Sequence, residues 1–298
     1  MEIFVQSKRL MVLLVVLVLI FTGCTSADRT KIMVSNMRPL MDKMKIAVNK
    51  HDDAVLVRDA MPASLMQLDG FIEASPGNKD LLLRASEANY GYAFLFLIDT
   101  DKKRALKVYQ KANRYAFLAL RHKNAFQQIL ENGSTKEIAS FMGKYHKEDV
   151  PGLYYYTTSW LGCIELSVGD DVNVIADLPK VEVVMDRILE LDDTYHYGAI
   201  HAVFGAYLAS RPEKFGGQME EAKFHFDEAF EISESKFLAW QFLYATKYAV
   251  QTKDKALFVS TLEEIVATPP DLLPEANFVN EAIKQKAKKL LGQTDDIF

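Results

Sequence analysis

Apolar residues recur along this chain at steps of three, four and seven, the spacing of one face of an α-helix. After Ser75-Pro76-Gly77-Asn78, a turn whose asparagine is placed to cap a helix, Leu82, Ala85, Asn89, Tyr92, Ala93 and Phe96 share a face. The polar break Asp99-Thr100-Asp101 ends that helix, and Ala105, Val108, Tyr109, Ala112, Ala116 and Ala119 define the next. Ser134-Thr135-Lys136-Glu137 has the capping-box pattern of a further helix start, and Pro151, Pro179 and Pro274 stand where first-turn prolines would. No sustained alternation of apolar and polar positions occurs beyond the N-terminal segment, so strands are not expected. The pattern predicts about a dozen helices, and the short loops between them make consecutive helices antiparallel neighbours.

The N-terminus breaks this pattern. Lys8 and Arg9 precede the apolar run Leu10 to Phe21, which leads into Thr22-Gly23-Cys24. A basic start, a short apolar stretch and small residues describe a secretory signal peptide, and the run is shorter than the roughly 20 residues of a membrane span. The cysteine after Phe-Thr-Gly resembles a bacterial lipobox, which makes Cys24 the lipidation site. Residues 1–23 are then a lipoprotein signal peptide, 24–31 a lipidated tether and 32–298 a single helical domain. More than one acyl chain gives stable anchoring. Thr25 stands where an aspartate would signal inner-membrane retention, which favours the outer membrane. Cys163, the other cysteine, is left without a disulfide partner and reads as a buried small hydrophobe.

The spacing of small residues sharpens the fold. Ala93, Ala105 and Ala112 lie at intervals of 12 and 7, with Tyr109 at the large position between the last two, as in a tetratricopeptide repeat. Small residues let two helices approach closely, and the aromatic fills the gap against the neighbouring unit. Ala222, Phe226 and Ala229 repeat the pattern with Phe204-Gly205 on the preceding helix, across a turn lengthened by Arg211 to Gly217. Trp160 and Trp240 open further, more degenerate units. The expected fold is all-α: an irregular right-handed solenoid of antiparallel helix hairpins with cryptic repeats, rather than a generic bundle.

Removing residues 1–23 takes away Lys8, Arg9 and Glu2, so the formal charge goes from −5 to −6. A mildly acidic body without a basic run argues against nucleic acid as a partner. Catalytic and metal chemistry find no foothold. There is no Gly-x-Ser-x-Gly elbow, phosphate loop or His-Glu-x2-His helix, and neither a metal nor a cofactor is expected. His196 and His201, five residues apart, fall about 140° apart around a helix, on different faces. Asp192 ends one helix there, with Asp193 or Thr194 capping the next. His225, between Phe224 and Phe226, reads as a partly buried structural histidine. Gly216-Gly217 reads as a turn needing positive φ, with anion binding at the following helix N-terminus as the functional alternative. Tyr154-Tyr155-Tyr156 and Trp160 put aromatics on more than one face of a helix. Tyr156 and Trp160 share a stripe that belongs in the core, and Tyr154 and Tyr155 cannot both lie on it. Such a helix is either central or lines a cavity or interface. Tyr154, Tyr155, Trp160, Gly216 and Gly217 are therefore the candidate cavity or interface residues.

From Leu82 onward the chain resembles the TatT component family, lipoproteins associated with TRAP (tripartite ATP-independent periplasmic) transporters. The resemblance rests on Tyr90-Gly91-Tyr92-Ala93 with Arg104-Ala105-x3-Tyr109, and on Ile175-Ala176-Asp177-Leu178-Pro179-x-Val181. Leu191-Asp192-Asp193-x-Tyr195 with Gly198-Ala199 and Pro212-x3-Gly216-Gly217 with Glu221-Ala222-x2-His225-Phe226-x2-Ala229 extend it. Leu273-Pro274-Glu275-Ala276-Asn277, leading to Lys286-Ala287-x2-Leu290-Leu291, adds to it. The resemblance implies a periplasm-facing body of tetratricopeptide-like hairpins, a homotrimer around a pore, and association with the periplasmic solute-binding protein of the transporter. It also suggests an organic acid or a hydrophobic carboxylate-like solute. The expected function is a non-enzymatic, membrane-anchored scaffold assisting solute uptake. A general adaptor in cell-envelope assembly, with no transport role, is the alternative. An envelope hydrolase would need an acid/base pair that the sequence does not offer.

Overall fold

Helix starts in this chain are fixed locally, by side chains that accept the first free backbone N–H groups. In the computed structural model, which describes residues 26–211 and 217–298, Asn78 accepts from the Leu81 N–H at 3.2 Å and opens a helix at Lys79. Asp53, Asp101 and Asp254 cap three others in the same manner. The Ser134–Glu137 capping box is complete, with the serine taking the Glu137 N–H at 3.3 Å and Glu137 taking the Ser134 N–H at 2.8 Å. Pro151 and Pro179 occupy first turns, and Pro274 opens a 3-10 turn.

The described residues contain helices and no strand. In chain order they are α1 (Ser26–Asn36), α2 (Arg38–Asn49), α3 (Ala54–Ala74), α4 (Lys79–Tyr92) and α5 (Lys102–Ala119). There follow α6 (Lys123–Asn132), α7 (Thr135–Met142), α8 (Val150–Ser167), α9 (Leu178–Asp192) and α10 (Tyr195–Ala209). The last are α11 (Met219–Ile232), α12 (Ala239–Leu243), α13 (Lys255–Ala267), α14 (Asn277–Leu291) and α15 (Thr294–Ile297). Cys24, residues 1–23 read from sequence as a signal peptide, and Gly216 lie outside the described residues. α1 begins at Ser26, inside the segment read from sequence as a tether.

Several helices pack on their chain neighbours, α3 on α4, α4 on α5, α10 on α11 and α13 on α14, while α5 packs as extensively on α8. α14 then returns to the start of the chain and packs on α2 and α3. One continuous apolar core runs from Ala54 to Ala287. At its centre lies α8, flanked by α4, α5, α9 and α10. Tyr154, Tyr155 and Tyr156 are all buried there. The limit of one apolar stripe does not apply, because neighbours cover α8 from several sides. Just before α8, the buried Asp149 carboxylate takes hydrogen bonds from the Arg121 guanidinium and the His146 N–H. Burial would raise its pKa, but these donors and Lys79 hold it below the usual carboxylate value.

Ala93, Ala105, Ala112, Ala222 and Ala229 are fully buried. A β-carbon placed on Gly162 of α8 would lie 3.0 Å from the Tyr109 ring, so that ring uses the missing side chain to seat α5 against α8.

Candidate functional site

α4 does not stop at Tyr92. It continues through a π turn, Ala93–Leu97, in which the Ile98 N–H reaches five residues back to the Ala93 carbonyl at 3.0 Å. α12 likewise runs into a π turn, Tyr244–Ala249. Such turns carry one extra residue per turn and are frequent at functional sites. The first lies beside Lys286 of α14, and Phe242 of α12, just ahead of the second, reaches the same lysine. The Lys286 Nζ donates to the Phe94 carbonyl at 3.0 Å and to the Asp99 carboxylate, and sits 5.5 and 5.4 Å from the Phe94 and Phe242 ring centres. Burial lowers the Lys286 pKa, and the Asp99 charge works against that shift. Lys247, within the second π turn, pairs with Glu165 of α8 at 2.6 Å.

From Phe94 an unbroken run of aromatic contacts crosses the molecule. Tyr90 stacks on Phe94 at 6.1 Å and meets Tyr109, Tyr154 and Tyr155 at 5.9, 6.5 and 6.0 Å. Tyr154 meets Tyr195 at 5.5 Å and His196 at 6.3 Å, and His196 meets Phe237 at 5.3 Å. His196, Tyr197 and Gly198 have φ of 48°, 62° and 72°, three successive left-handed residues at the start of α10. For the first two this conformation costs about 1–2 kcal/mol each. The Trp240 indole N–H donates to the Tyr197 carbonyl at 2.7 Å and holds the turn. His196 is therefore not on a helix face, and the five-residue helical spacing to His201 does not apply. Neither Asp193 nor Thr194 caps α10; the Thr194 hydroxyl donates to Asp192 at 3.0 Å instead.

Tyr90, Tyr195 and His196 each keep part of their surface accessible. Burial nonetheless governs their ionisation, raising Tyr90 to about 12, raising Tyr195 and lowering His196. These three side chains form the partly accessible edge of an aromatic cluster in which Tyr154 and Tyr155 are buried. Lys45 and Glu87 pair at 2.6 Å, and the Glu87 charge acts on Tyr155, Tyr195 and His196. The arrangement offers a packed aromatic cluster with ion pairs beside it and near Lys286. It presents no nucleophile beside a base.

Of the sequence candidates, Tyr154 and Tyr155 belong to this cluster. Trp160, half-buried, packs on Tyr156 at 5.5 Å away from it. Gly217 lines a shallow cleft of about 400 Å³ with Glu220 and Glu221, two carboxylates in the first turn of α11 that oppose an anion there. A second cleft, of about 470 Å³, contains Arg58 and Arg104. The first already donates to Asp59 at 2.8 Å, and the second lies 5.6 Å over Tyr92. His225 is buried, stacked on Phe204 at 4.9 Å, and its Nδ1 lies 3.0 Å from His201 Nδ1. Burial pushes the half-exposed Cys163 thiol up to about 12. Among the described residues no three His, Cys, Asp or Glu side chains form a metal site, and no helix is long and apolar enough to cross a membrane.

Tyr195 and His196 of the aromatic cluster, and Lys286 near Phe94, were not singled out as site residues from sequence. Tyr90, Tyr195 and Lys286 do stand inside the stretches that carried the family resemblance. A protein of Treponema pallidum (strain Nichols), described as uncharacterized, is similar over 266 residues at 23% identity, covering 84% of this chain and 81% of its own. The TRAP transporter T-component family model matches residues 50–298, and the chain belongs to that family.

Proposed function

We propose that this protein is a non-catalytic, periplasm-facing component of a TRAP transporter, held at the membrane by a lipid on Cys24. It binds the periplasmic solute-binding subunit and assists passage of the solute. The observation that carries this reading is the aromatic cluster of Tyr90, Tyr154, Tyr155, Tyr195 and His196, whose accessible edge we take as the wall of a solute recess. Apolar and aromatic walls with a few polar groups are what small-molecule sites are made of. They suit a solute with substantial apolar surface. Lys286 provides a cationic group near Phe94 for a carboxylate, in competition with Asp99.

The same reading takes the chain-neighbour helix contacts as an irregular right-handed stack of tetratricopeptide-like hairpins. The return of α14 to α2 and α3 brings the two ends of the stack together. In this proposal three chains assemble into a homotrimer, and each recess is continuous with a pore. The body sits on the periplasmic side of the outer membrane.

Pull-down with the protein from Thr25 onward, from envelope extract, tests the reading together with light scattering on the bait alone. Recovery of a periplasmic solute-binding protein and a mass near three chains supports it. A monomer that recovers only assembly factors or peptidoglycan enzymes overturns it and favours a cell-envelope adaptor.

A further inference from the structure

We propose that α1 and α2 form a second membrane contact, a basic and apolar collar that lies on anionic lipid beside the anchor. The family match covers residues 50–298 and so does not include either helix. Their composition differs sharply from that of the body. Residues 26–50 carry six basic and two acidic side chains, a net +4. Residues 1–25 contribute +1 to the whole-chain charge of −5, which leaves −10 on residues 51–298.

The exposed surface of the two helices is also apolar. α2 buries only Met41, and in α1 Val34 is the buried hydrophobe. Ile32, Met33, Leu40 and Met44 are each more than half exposed. Residues 32–48 hold six of the sixteen large hydrophobics exposed among the described residues. On α2, Leu40, Met44 and Val48 follow one another at steps of four and share a stripe. Arg38, Asp42 and Lys45 pair with Asp80, Arg84 and Glu87, which orients α2 on the body. Lys31, Lys43 and Lys50 form no ion pair among the described residues and are exposed. Unpaired lysines beside an outward apolar stripe are the pattern of a helix that lies in a membrane interface.

The occupant follows from charge and position. Two copies joined symmetrically through this face would bring like charges together. An anionic phospholipid surface accepts them, and each lysine near such a surface strengthens binding about five-fold. α1 starts two residues after Cys24, so a lipid on that cysteine would bring the collar to the bilayer. The inference rests on the membrane-anchored reading only for that placement and does not depend on the transport reading.

The test uses protein from Thr25 onward, which lacks the lipidated cysteine and keeps every described helix. It is sedimented with vesicles of phosphatidylethanolamine and phosphatidylglycerol, and separately with phosphatidylcholine vesicles. The expected result is binding to the anionic vesicles alone, weakened by salt. Lys43→Gln with Lys50→Gln weakens it about 25-fold, and Leu40→Ser with Met44→Ser weakens it as well. Thermal unfolding of both variants should match the parent. Absence of binding to anionic vesicles, or binding by both variants as strong as the parent's, overturns the proposal. So does a serine variant that loses oligomer mass while its vesicle binding is unchanged, which assigns the face to a second copy. Intact mass of the protein extracted from cells reports acylation of Cys24 separately, so failure of the anchor reading is distinguishable from failure of the collar.

Discussion

Gly205 of α10 lies directly under the ring of Phe226 on α11, where an added β-carbon would come to 2.7 Å from Cδ2 and 2.9 Å from Cε2. The ring is fully buried and also meets Tyr244 at 5.2 Å. It has little freedom to retreat, so a methyl group at position 205 must push α10 and α11 apart. Gly205→Ala is expected to destabilise the fold by about 1–3 kcal/mol, the usual cost of overpacking a filled core. Urea unfolding measures this, and an unchanged midpoint would show that the two helices separate freely.

Lys286 and Asp99 give an asymmetric prediction. Replacing the aspartate leaves a buried ammonium with the Phe94 carbonyl as a neutral acceptor, whereas replacing the lysine removes the buried charge altogether. Asp99→Asn is expected to cost about 1–3 kcal/mol. Lys286→Met is expected to stay within about 1 kcal/mol of the parent. A larger loss for the methionine variant would mean that the ion pair itself stabilises the closure of α14 onto α4.

The His201–His225 pair makes stability depend on pH. Burial lowers both pKa values, His225 to about 4 with the neighbouring imidazole reinforcing the shift, while Glu228 and Asp193 oppose it at His201. An unfolded histidine titrates near 6.5, so between about pH 6.5 and pH 4 the unfolded chain binds more protons. Stability from this pair is full above that window and falls as pH decreases through it. The expected loss is on the order of 2 kcal/mol after allowance for solvent screening. Tm measured from pH 7 to pH 4.5 should fall less steeply in His225→Gln, and parallel curves for variant and parent would refute the assignment.

Tyr155 tests the recess. Tyr155→Phe keeps the ring against Tyr90 and Tyr154 and should capture the solute-binding subunit like the parent. Tyr155→Ala opens the wall, costs about 3–5 kcal/mol in stability and should weaken capture at a temperature where the variant is still folded. Full capture by the folded alanine variant would remove Tyr155 from the site.

The capping box gives a local control. Ser134→Ala should destabilise by about 1 kcal/mol in urea without affecting partner capture, since Ser134 is exposed and the Phe141 ring of α7 meets Phe126 and Tyr145 rather than the cluster around Tyr154. Loss of capture would link α7 to the site.

Much of the helical architecture was legible because its determinants act within a turn or two. Asn78 and Ser134 reach N–H groups three residues away, and the alanine and glycine positions around Tyr109 and Phe226 mark where helices approach. The family was legible from motifs for a related reason: Tyr90, Tyr195, Gly198 and Lys286 sit in short stretches with fixed spacing. The aromatic excess of α8 indicated a helix covered on several sides or lining a cavity, although its neighbours could not be named.

The site itself was less legible. A π turn differs from an α turn by one residue, and nothing in Ala93-Phe94-Leu95-Phe96-Leu97 announces it. The left-handed run at His196 and Tyr197 contradicts local preference and is held by Trp240, 43 residues away. Sequence by itself determined where helices begin, which faces are apolar and to which family the motifs point, because caps and periodicity are short-range. Only the tertiary structure decided that Lys286 meets Asp99 across 187 residues and that Tyr154 joins Tyr90 and His196 in one aromatic cluster. Those pairings depend on how α14 returns to the first hairpins, a sum of many weak helix–helix contacts that no single stretch encodes.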